Sequence, residues 1–258
     1  MNNELPSTCA NCNHTVDGKY CCNCGHPVKP ERIDFHYLLH EAQHTIFHVD
    51  KGILYTIKEL IVRPGITLQG YLAGKRINHF KPFAFVLMLG AFYGFLAHFF
   101  NLYPEDSMLN FVGQERSIED TEYYKKIFKL VYDNYSFTML ALVPFAALSS
   151  FIIFRKHAYN YCEHLVINSY ITGMQIFILL IFYFMYIIFR SGWVHLIGSM
   201  ASYMYIIGVY IQLFNVSSKI KTGLKAFLSI IFSTSIMLIT VFIITFVVMF
   251  IINISSLL

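Results

Sequence analysis

Charged residues are scarce in this chain. Asp, Glu, Lys and Arg make up 13% of the 258 residues, whereas soluble domains carry about 25%. With 56% hydrophobic residues and a mean hydropathy of +0.54, the chain has too little polar surface to coat a water-soluble domain. The composition also excludes disordered, collagen-like and disulfide-framework classes, so it indicates an integral membrane protein.

Charge is absent altogether from several long stretches. Five of them come close to the length of about 20 residues that a helix needs to cross the hydrocarbon core. We therefore predict an all-α integral membrane protein with about five transmembrane helices, in a transmembrane domain at residues 82–258. The predicted spans are residues 82–104, 136–154, 165–189, 193–214 and 226–252.

The N-terminal sequence MNNELPSTCANC has neither the basic start nor the apolar core of a signal peptide, so we expect none. Lys and Arg are distributed unequally about the predicted spans. The N-terminal 81 residues and the loops on the same side hold 14 of them, and the opposite side holds 5. The positive-inside rule then predicts a cytoplasmic N-terminus and an outside C-terminus.

The formal net charge of +4 is concentrated on this predicted inner face. Lys75, Arg76 and Lys81 lie just before the first span, where they can contact anionic lipid headgroups. Because these residues are next to the membrane and form no dense patch, we expect the lipid bilayer as a partner and no nucleic acid.

Cysteine is concentrated near the N-terminus, where five of the six lie within 16 residues. Cys9 and Cys12 form one C-x-x-C pair, and Cys21 and Cys24 form a second. Two such turns can supply four thiolates to a tetrahedral zinc ion, which leaves no place for a catalytic water and makes the zinc structural. We predict a zinc ribbon at residues 1–30, folded by its metal because so short a segment has no core of its own.

These cysteines have two other interpretations, disulfides and a redox pair. A reducing cytoplasm disfavours disulfides, and a thioredoxin-type redox pair would need a βαβ pattern around it. Cys22 is a spare thiol, and His14 or His26 could replace a cysteine ligand. A ribbon of this kind normally presents a surface, so we expect a protein partner to bind through it.

Histidine recurs every four residues from residue 36 to residue 48, which places all four imidazoles on one face of a helix. This helix belongs to a predicted cytoplasmic segment of amphipathic helices at residues 31–81. Within it, HEAQH fits the H-E-x-x-H pattern, in which two histidines bind zinc and the glutamate is the general base. The candidate second metal or polar site, here named the histidine ladder, comprises His36, His40, Glu41, His44 and His48.

The H-E-x-x-H match is weakly specific because a histidine ladder already supplies the second histidine. A zinc protease also needs a third ligand, and the predicted spans contain no Asp or Glu. We therefore assign no catalytic residue and favour a non-enzymatic role, with the ladder as a polar face packed on headgroups or on a partner. A membrane metalloenzyme or metal-handling protein that uses the ladder is the alternative.

A polar stripe runs along the third predicted span. Its members, at spacings of four, four and three residues, are His164, Asn168, Thr172 and Gln175. Polar groups inside a span need protein partners because lipid offers none, so we expect the stripe to pack between helices. A small transporter or channel that uses this stripe is a third hypothesis.

The order of motifs resembles an uncharacterised membrane family. C-x-x-C, Y-C-C-N-C-G-H and the histidine ladder are followed by H-V-D-K-G-I-L-Y-T-I-K-E-L-I-V-R-P-G, Y-L-A-G-K-R and a run of hydrophobic spans. This order is similar to that of a bacterial domain of unknown function, number three-six-six-seven, closely over residues 9 to about 100 and later in hydropathy alone. The resemblance implies a zinc ribbon fused to a multi-span domain in the bacterial inner membrane, and it implies no known reaction.

The motif residues also have a physical interpretation of their own. Glu59 and Arg63 are four residues apart and are expected to pair on a helix, while Pro64 forces a turn before a short helix that ends at Gly74. These helices would form a platform beside the first span. The leading hypothesis is a non-enzymatic anchor or accessory subunit of unknown activity, whose ribbon and interfacial helices engage a protein or lipid partner. The oligomeric state is left open.

Overall fold

The structure is a computed structural model, and it describes the greater part of the chain. The described residues are 7–9, 11–12, 14–25, 27–28, 32–38, 52–100, 129, 131–157, 159–214 and 218–255, with side chains as far as residue 243.

A small antiparallel hairpin lies near the N-terminus. Its strands are β1 (Ser7–Thr8) and β2 (Thr15–Val16). Val16 is 3% exposed and packs with Cys9 and Cys21 in a cluster separate from the main core. So short a hairpin buries too little apolar surface to be stable alone, so it needs a cross-link or a metal.

Two short helices, α1 (Ile53–Val62) and α2 (Pro64–Leu72), precede the long ones. Arg63 between them has φ −147° and ψ 60°, which ends α1. Pro64 then begins α2, since the first turn of a helix does not use the missing N–H and the fixed φ suits it. The chain leaves α2 through Gly74 at φ +108°, a conformation that other residues rarely adopt.

Five long apolar helices form the rest of the described structure. Each contains a window of at least 18 residues that is apolar enough to cross a membrane. They are α3 (Pro82–Phe100), α4 (Tyr135–Ile153), α5 (Tyr161–Phe189), α6 (Gly192–Leu213) and α7 (Lys219–Ser255). The predicted all-α fold with five candidate spans is confirmed, and these helices indicate a multi-pass membrane protein.

Helix α5 packs against α3, α4 and α6, while α7 packs against α4 and α6. Small residues let these helices approach closely. A Cβ atom added at Gly173 of α5 would overlap the ring of Phe85 on α3, and one added at Gly198 of α6 would lie 2.7 Å from Phe182. Glycine at these positions therefore permits the packing around α5.

Helix α5 begins at Tyr161, earlier than the predicted start at residue 165. The Asn160 side chain accepts a hydrogen bond from the Glu163 backbone N–H at 2.8 Å, and Glu163 Oε2 accepts one from the Asn160 backbone N–H at 2.6 Å. This capping box satisfies two N–H groups at the helix end, and it places an acidic side chain in the first turn, where the helix dipole favours negative charge.

Candidate metal centre and polar network

The four cysteines of the two C-x-x-C pairs converge. Their Sγ atoms all lie within 4.8 Å of one another, with 3.6 Å between Cys9 and Cys24 and 3.5 Å between Cys12 and Cys21. In a tetrahedral site with Zn–S bonds near 2.3 Å, neighbouring sulfur atoms are about 3.8 Å apart. The donor set and its spacing therefore fit a tetrahedral metal ion such as zinc.

Backbone hydrogen bonds close both cysteine turns. The Cys9 N–H donates to the His14 carbonyl at 2.8 Å, and the Gly25 N–H donates to the Cys21 carbonyl at 2.8 Å. Gly25 has φ +70°, a left-handed conformation that glycine adopts without a steric penalty. The glycine after the second C-x-x-C pair thus lets the chain turn directly behind the last thiol.

The backbone also favours a thiolate at one position. A hydrogen bond from the backbone N–H of His14 lowers the pKa of the Cys12 thiol to about 6. Burial raises the pKa of the Cys21 thiol to about 11. Because cysteine binds metals as the thiolate, a metal bound here would displace the proton of Cys21.

The spare residues near the cluster have different positions. Cys22 is exposed and is not one of the four thiols that converge. The His14 carbonyl accepts the hydrogen bond that closes the first turn, and His14 is an exposed residue. His26 lies outside the described residues.

Asn168 is the centre of a hydrogen-bond network that joins α4, α5 and α6. Its Nδ2 donates to Ser150 Oγ at 2.9 Å, and its Oδ1 accepts from the Tyr210 hydroxyl at 2.7 Å. Ser150 Oγ lies 2.9 Å from His164 Nδ1. Four side chains from three helices thus satisfy one another where lipid offers no hydrogen bonds.

His164 is completely buried within this network. The rings of Phe151 and Tyr159 meet its imidazole edge-on, and the Phe214 ring stacks on it at 5.8 Å. Its Nε2 has no hydrogen-bond partner among the described residues. The imidazole therefore packs between aromatic rings and is held through Nδ1 alone.

The predicted polar stripe divides into two parts. His164 and Asn168 belong to the network, and Asn168 also lines a cavity of about 270 Å³ between α4, α5, α6 and α7, together with Thr172 and Gln175. Ser150 and Tyr210 were missing from the sequence prediction because they lie on other helices. A period-of-four pattern in one span carries no information about which residues face it.

The histidine ladder is described at one position. His36 is exposed and lies in a helical turn at residues 35–38. The other members, His40, Glu41, His44 and His48, lie outside the described residues, so the ladder stays a prediction from the sequence.

The segment that follows the cysteine hairpin is attached to the start of α5. Arg32 forms two hydrogen bonds with the Glu163 carboxylate, from Nε to Oε1 at 3.1 Å and from Nη2 to Oε2 at 3.3 Å. Asn160 Nδ2 donates to the carbonyl of Ile33 at 2.9 Å, and Ile33 is fully buried. Residues that cap α5 therefore also hold residues 32–33.

Helices α1 and α2, with the turn that runs to residue 80, are here named the platform. Thr56 Oγ1 accepts a hydrogen bond from the Phe80 N–H at 2.8 Å, and the Tyr205 hydroxyl of α6 donates to the Leu60 carbonyl at 3.0 Å. At Gly65, an added Cβ would lie 2.6 Å from the side chain of Gln212 on α6. The platform thus packs directly against the end of α6.

The expected pair between Glu59 and Arg63 is confirmed. Arg63 Nε lies 2.7 Å from Glu59 Oε2, and Nη2 lies 3.1 Å from Oε1. Hydrogen bonds from Arg63 lower the pKa of the Glu59 carboxyl. The pair spans the last turn of α1 and fixes the guanidinium beside the break between α1 and α2.

Residues 50–94 match the family model described as protein of unknown function (DUF3667). The chain is similar to that family over this segment. No curated protein and no solved structure matches the chain.

The segment that matches DUF3667 contains the platform and the greater part of α3. Its motif residues have structural roles: an added Cβ at Gly52 would lie 2.7 Å from the Asn78 carbonyl oxygen, and Thr56 and Gly65 hold the contacts given above. These motif residues therefore hold the platform together and, at Gly65, against α6, and the family description adds no reaction.

Proposed function

We propose that this chain is a non-enzymatic anchor or accessory protein of the bacterial inner membrane. In this proposal a structural zinc ion folds the cysteine hairpin, and the hairpin binds a protein partner in the cytoplasm. The observation that carries the proposal is the convergence of four thiols within 4.8 Å. Four cysteine ligands complete the coordination sphere of zinc, so the ion has no open position for water or substrate.

The surface of the cysteine hairpin supports protein binding. Tyr20 is 68% exposed although it directly precedes the buried Cys21, and Lys19 and Cys22 beside it are also exposed. Exposed tyrosines are common anchors of protein interfaces because they combine a large apolar ring with a hydroxyl group. A zinc ion bound behind Tyr20 would keep this surface in one conformation.

The platform supports contact with the lipid surface. Leu54, Ile61 and Val62 are 76%, 56% and 69% exposed on α1, and Lys58 lies exposed between them in sequence. An exposed apolar face with a lysine suits a helix that lies in the membrane interface, where the lysine extends toward the headgroups. The Arg32–Glu163 contact at the start of α5 would then hold the segment after the hairpin close to the membrane.

Site-specific photo-cross-linking in cells tests the proposal. With p-benzoylphenylalanine replacing Tyr20, we expect one discrete protein adduct, because this position faces the proposed partner. The adduct should disappear in the Cys9→Ser/Cys12→Ser variant and persist in the Cys22→Ser variant, since Cys22 is not one of the four converging thiols.

The same photo-reactive residue at Ser235, which is exposed on α7, is the matched control and should give no such adduct. The proposal is wrong if position 20 gives no protein adduct, or if the adduct forms equally well without Cys9 and Cys12.

A further inference from the structure

The cavity between α4, α5, α6 and α7 is separate from the cysteine hairpin. It has a volume of about 270 Å³, which is near the lower end of the range for small-molecule sites. Its lining combines apolar side chains, such as Met139 and Ile171, with hydroxyl and amide groups. The polar lining residues on α5 and α7 are Asn168, Thr172, Gln175, Ser229, Ser233 and Thr234.

No Asp, Glu, Lys, Arg or His is among the described residues that line the cavity. A charged group placed there would lose its hydration without gaining a partner of opposite charge, at a cost that is prohibitive in the membrane interior. The lining therefore selects an uncharged occupant.

Two polar side chains of the lining lack a protein partner. Thr172 is 8% exposed and Gln175 is partly buried, and neither side chain has a hydrogen bond to another described residue. Asn168 differs, because Ser150 and Tyr210 satisfy its amide. An unpartnered amide or hydroxyl inside a membrane bundle is costly, so an occupant that carries hydroxyl or carbonyl groups would be favoured.

Some of the residues that line the cavity are also exposed on the outer surface of the bundle. Tyr203 on α6 is 47% exposed and Thr234 on α7 is exposed, and both line the cavity. Because both helices are candidate spans, we expect this surface to face lipid rather than water. An occupant would therefore enter from the bilayer.

The shape of the cavity suits one chain. Its lining on α5 runs from Asn168 to Leu179, which is about 16 Å along the helix axis at the usual rise per residue. A cavity of about 270 Å³ that extends over this length has a narrow cross-section. Ile171, Ile176 and Leu179 supply apolar contacts along it, as an alkyl chain requires.

We propose that this cavity binds an uncharged single-chain lipid with a hydroxyl-bearing head and a short acyl chain, such as monooctanoylglycerol, whose size matches a volume of about 270 Å³. Thr172 and Gln175 hydrogen-bond the head, and the chain lies against the apolar lining. This binding site is independent of zinc and of the partner of the cysteine hairpin.

Photo-labelling of the full-length protein in phosphatidylcholine vesicles tests the site. The probe is a monooctanoylglycerol with a diazirine on its acyl chain, and mass spectrometry locates the labelled residues. We expect labels on Met139, Met237 or their neighbours in the lining. Excess monooctanoylglycerol should remove them and excess glycerol should not, because the chain contributes to binding.

Two variants test the polar contacts. Thr172→Val preserves the side-chain volume and should reduce cavity labelling about fivefold, which is the effect of losing one hydrogen bond. Gln175→Leu should reduce the labelling by a similar factor for the same reason. The matched control, Thr240→Val, alters a hydroxyl of α7 that bonds the Ile236 carbonyl and should leave labelling unchanged. A fatty acid with the same photo-reactive chain carries a charged head and should label the cavity at least about tenfold less.

Several results would overturn the proposal. One is labelling confined to lipid-facing residues such as Phe184 and Ile188, which are 47% and 73% exposed. Others are cavity labelling that both variants leave unchanged, equal labelling by the fatty acid, and displacement by glycerol alone, which would indicate a water-soluble polyol in place of a lipid.

Discussion

At the residue scale, polar side chains inside the helix bundle differ in whether neighbouring helices supply their hydrogen-bond partners. Asn168 is satisfied by Ser150 and Tyr210, and the resulting network joins three helices. Thr172 lies one turn further along α5, where it lines the cavity without a side-chain hydrogen bond to another described residue. Residues of similar polarity on one face of one helix therefore have distinct roles, which depend on what the neighbouring helices supply.

Glycine at position 173 should be essential for the packing of α5 on α3. In Gly173→Ala the new Cβ overlaps the ring of Phe85, which is fully buried and cannot move aside, so we expect a loss of about 1–3 kcal/mol of stability. Thermal unfolding in detergent measures the change.

The matched control is Gly208→Ala on α6, where an added Cβ meets nothing within 4 Å. This variant should keep or slightly raise the unfolding temperature, since alanine favours a helix over glycine by up to about 1 kcal/mol. If both variants unfold at the same temperature, close packing at Gly173 does not matter for stability.

At the scale of helices, the five apolar elements were predictable because each span carries its own hydropathy signal. The residues at which these helices begin and end were less predictable. Helix α5 begins at Tyr161 because Asn160 and Glu163 cap it, and Glu163 in turn binds Arg32 from a distant part of the chain. The predicted span began at residue 165 because it was limited to an uncharged stretch, so it left out the first turn, which contains Glu163. A negative charge is nevertheless favourable at the start of a helix.

The candidate sites show the same contrast between local and distant information. Two C-x-x-C pairs define a four-thiol set from spacing alone, and the structure brings these four sulfur atoms together. The polar stripe identified Asn168, but its partners Ser150 and Tyr210 lie 18 and 42 residues away. Contacts of that kind depend on helix packing, which a single sequence does not specify.

At the scale of the whole molecule, we expect the five candidate spans among the described residues to place the N-terminal segment and the end of α7 on opposite sides of a membrane. The excess of Lys and Arg predicts that the N-terminus is cytoplasmic. Green fluorescent protein fused to the N-terminus should therefore fluoresce in bacterial cells, and alkaline phosphatase fused to the C-terminus should be active outside the inner membrane.

Exchange of the two reporters supplies the control for this topology. Alkaline phosphatase at the N-terminus should be inactive because it stays in the cytoplasm. An active N-terminal phosphatase together with a fluorescent C-terminal fusion would reverse the orientation and place the cysteine hairpin outside, where thiols oxidise to disulfides.

In the proposed function, Cys9, Cys12, Cys21 and Cys24 hold one structural zinc ion. The most direct test is the metal content of the detergent-purified protein and three variants. We expect one zinc per chain in the wild type, in Cys22→Ser and in His40→Ala/His44→Ala, and none in Cys9→Ser/Cys12→Ser. A wild type without zinc would contradict the claim, as would a metal that the cysteine variant retains and the histidine variant loses.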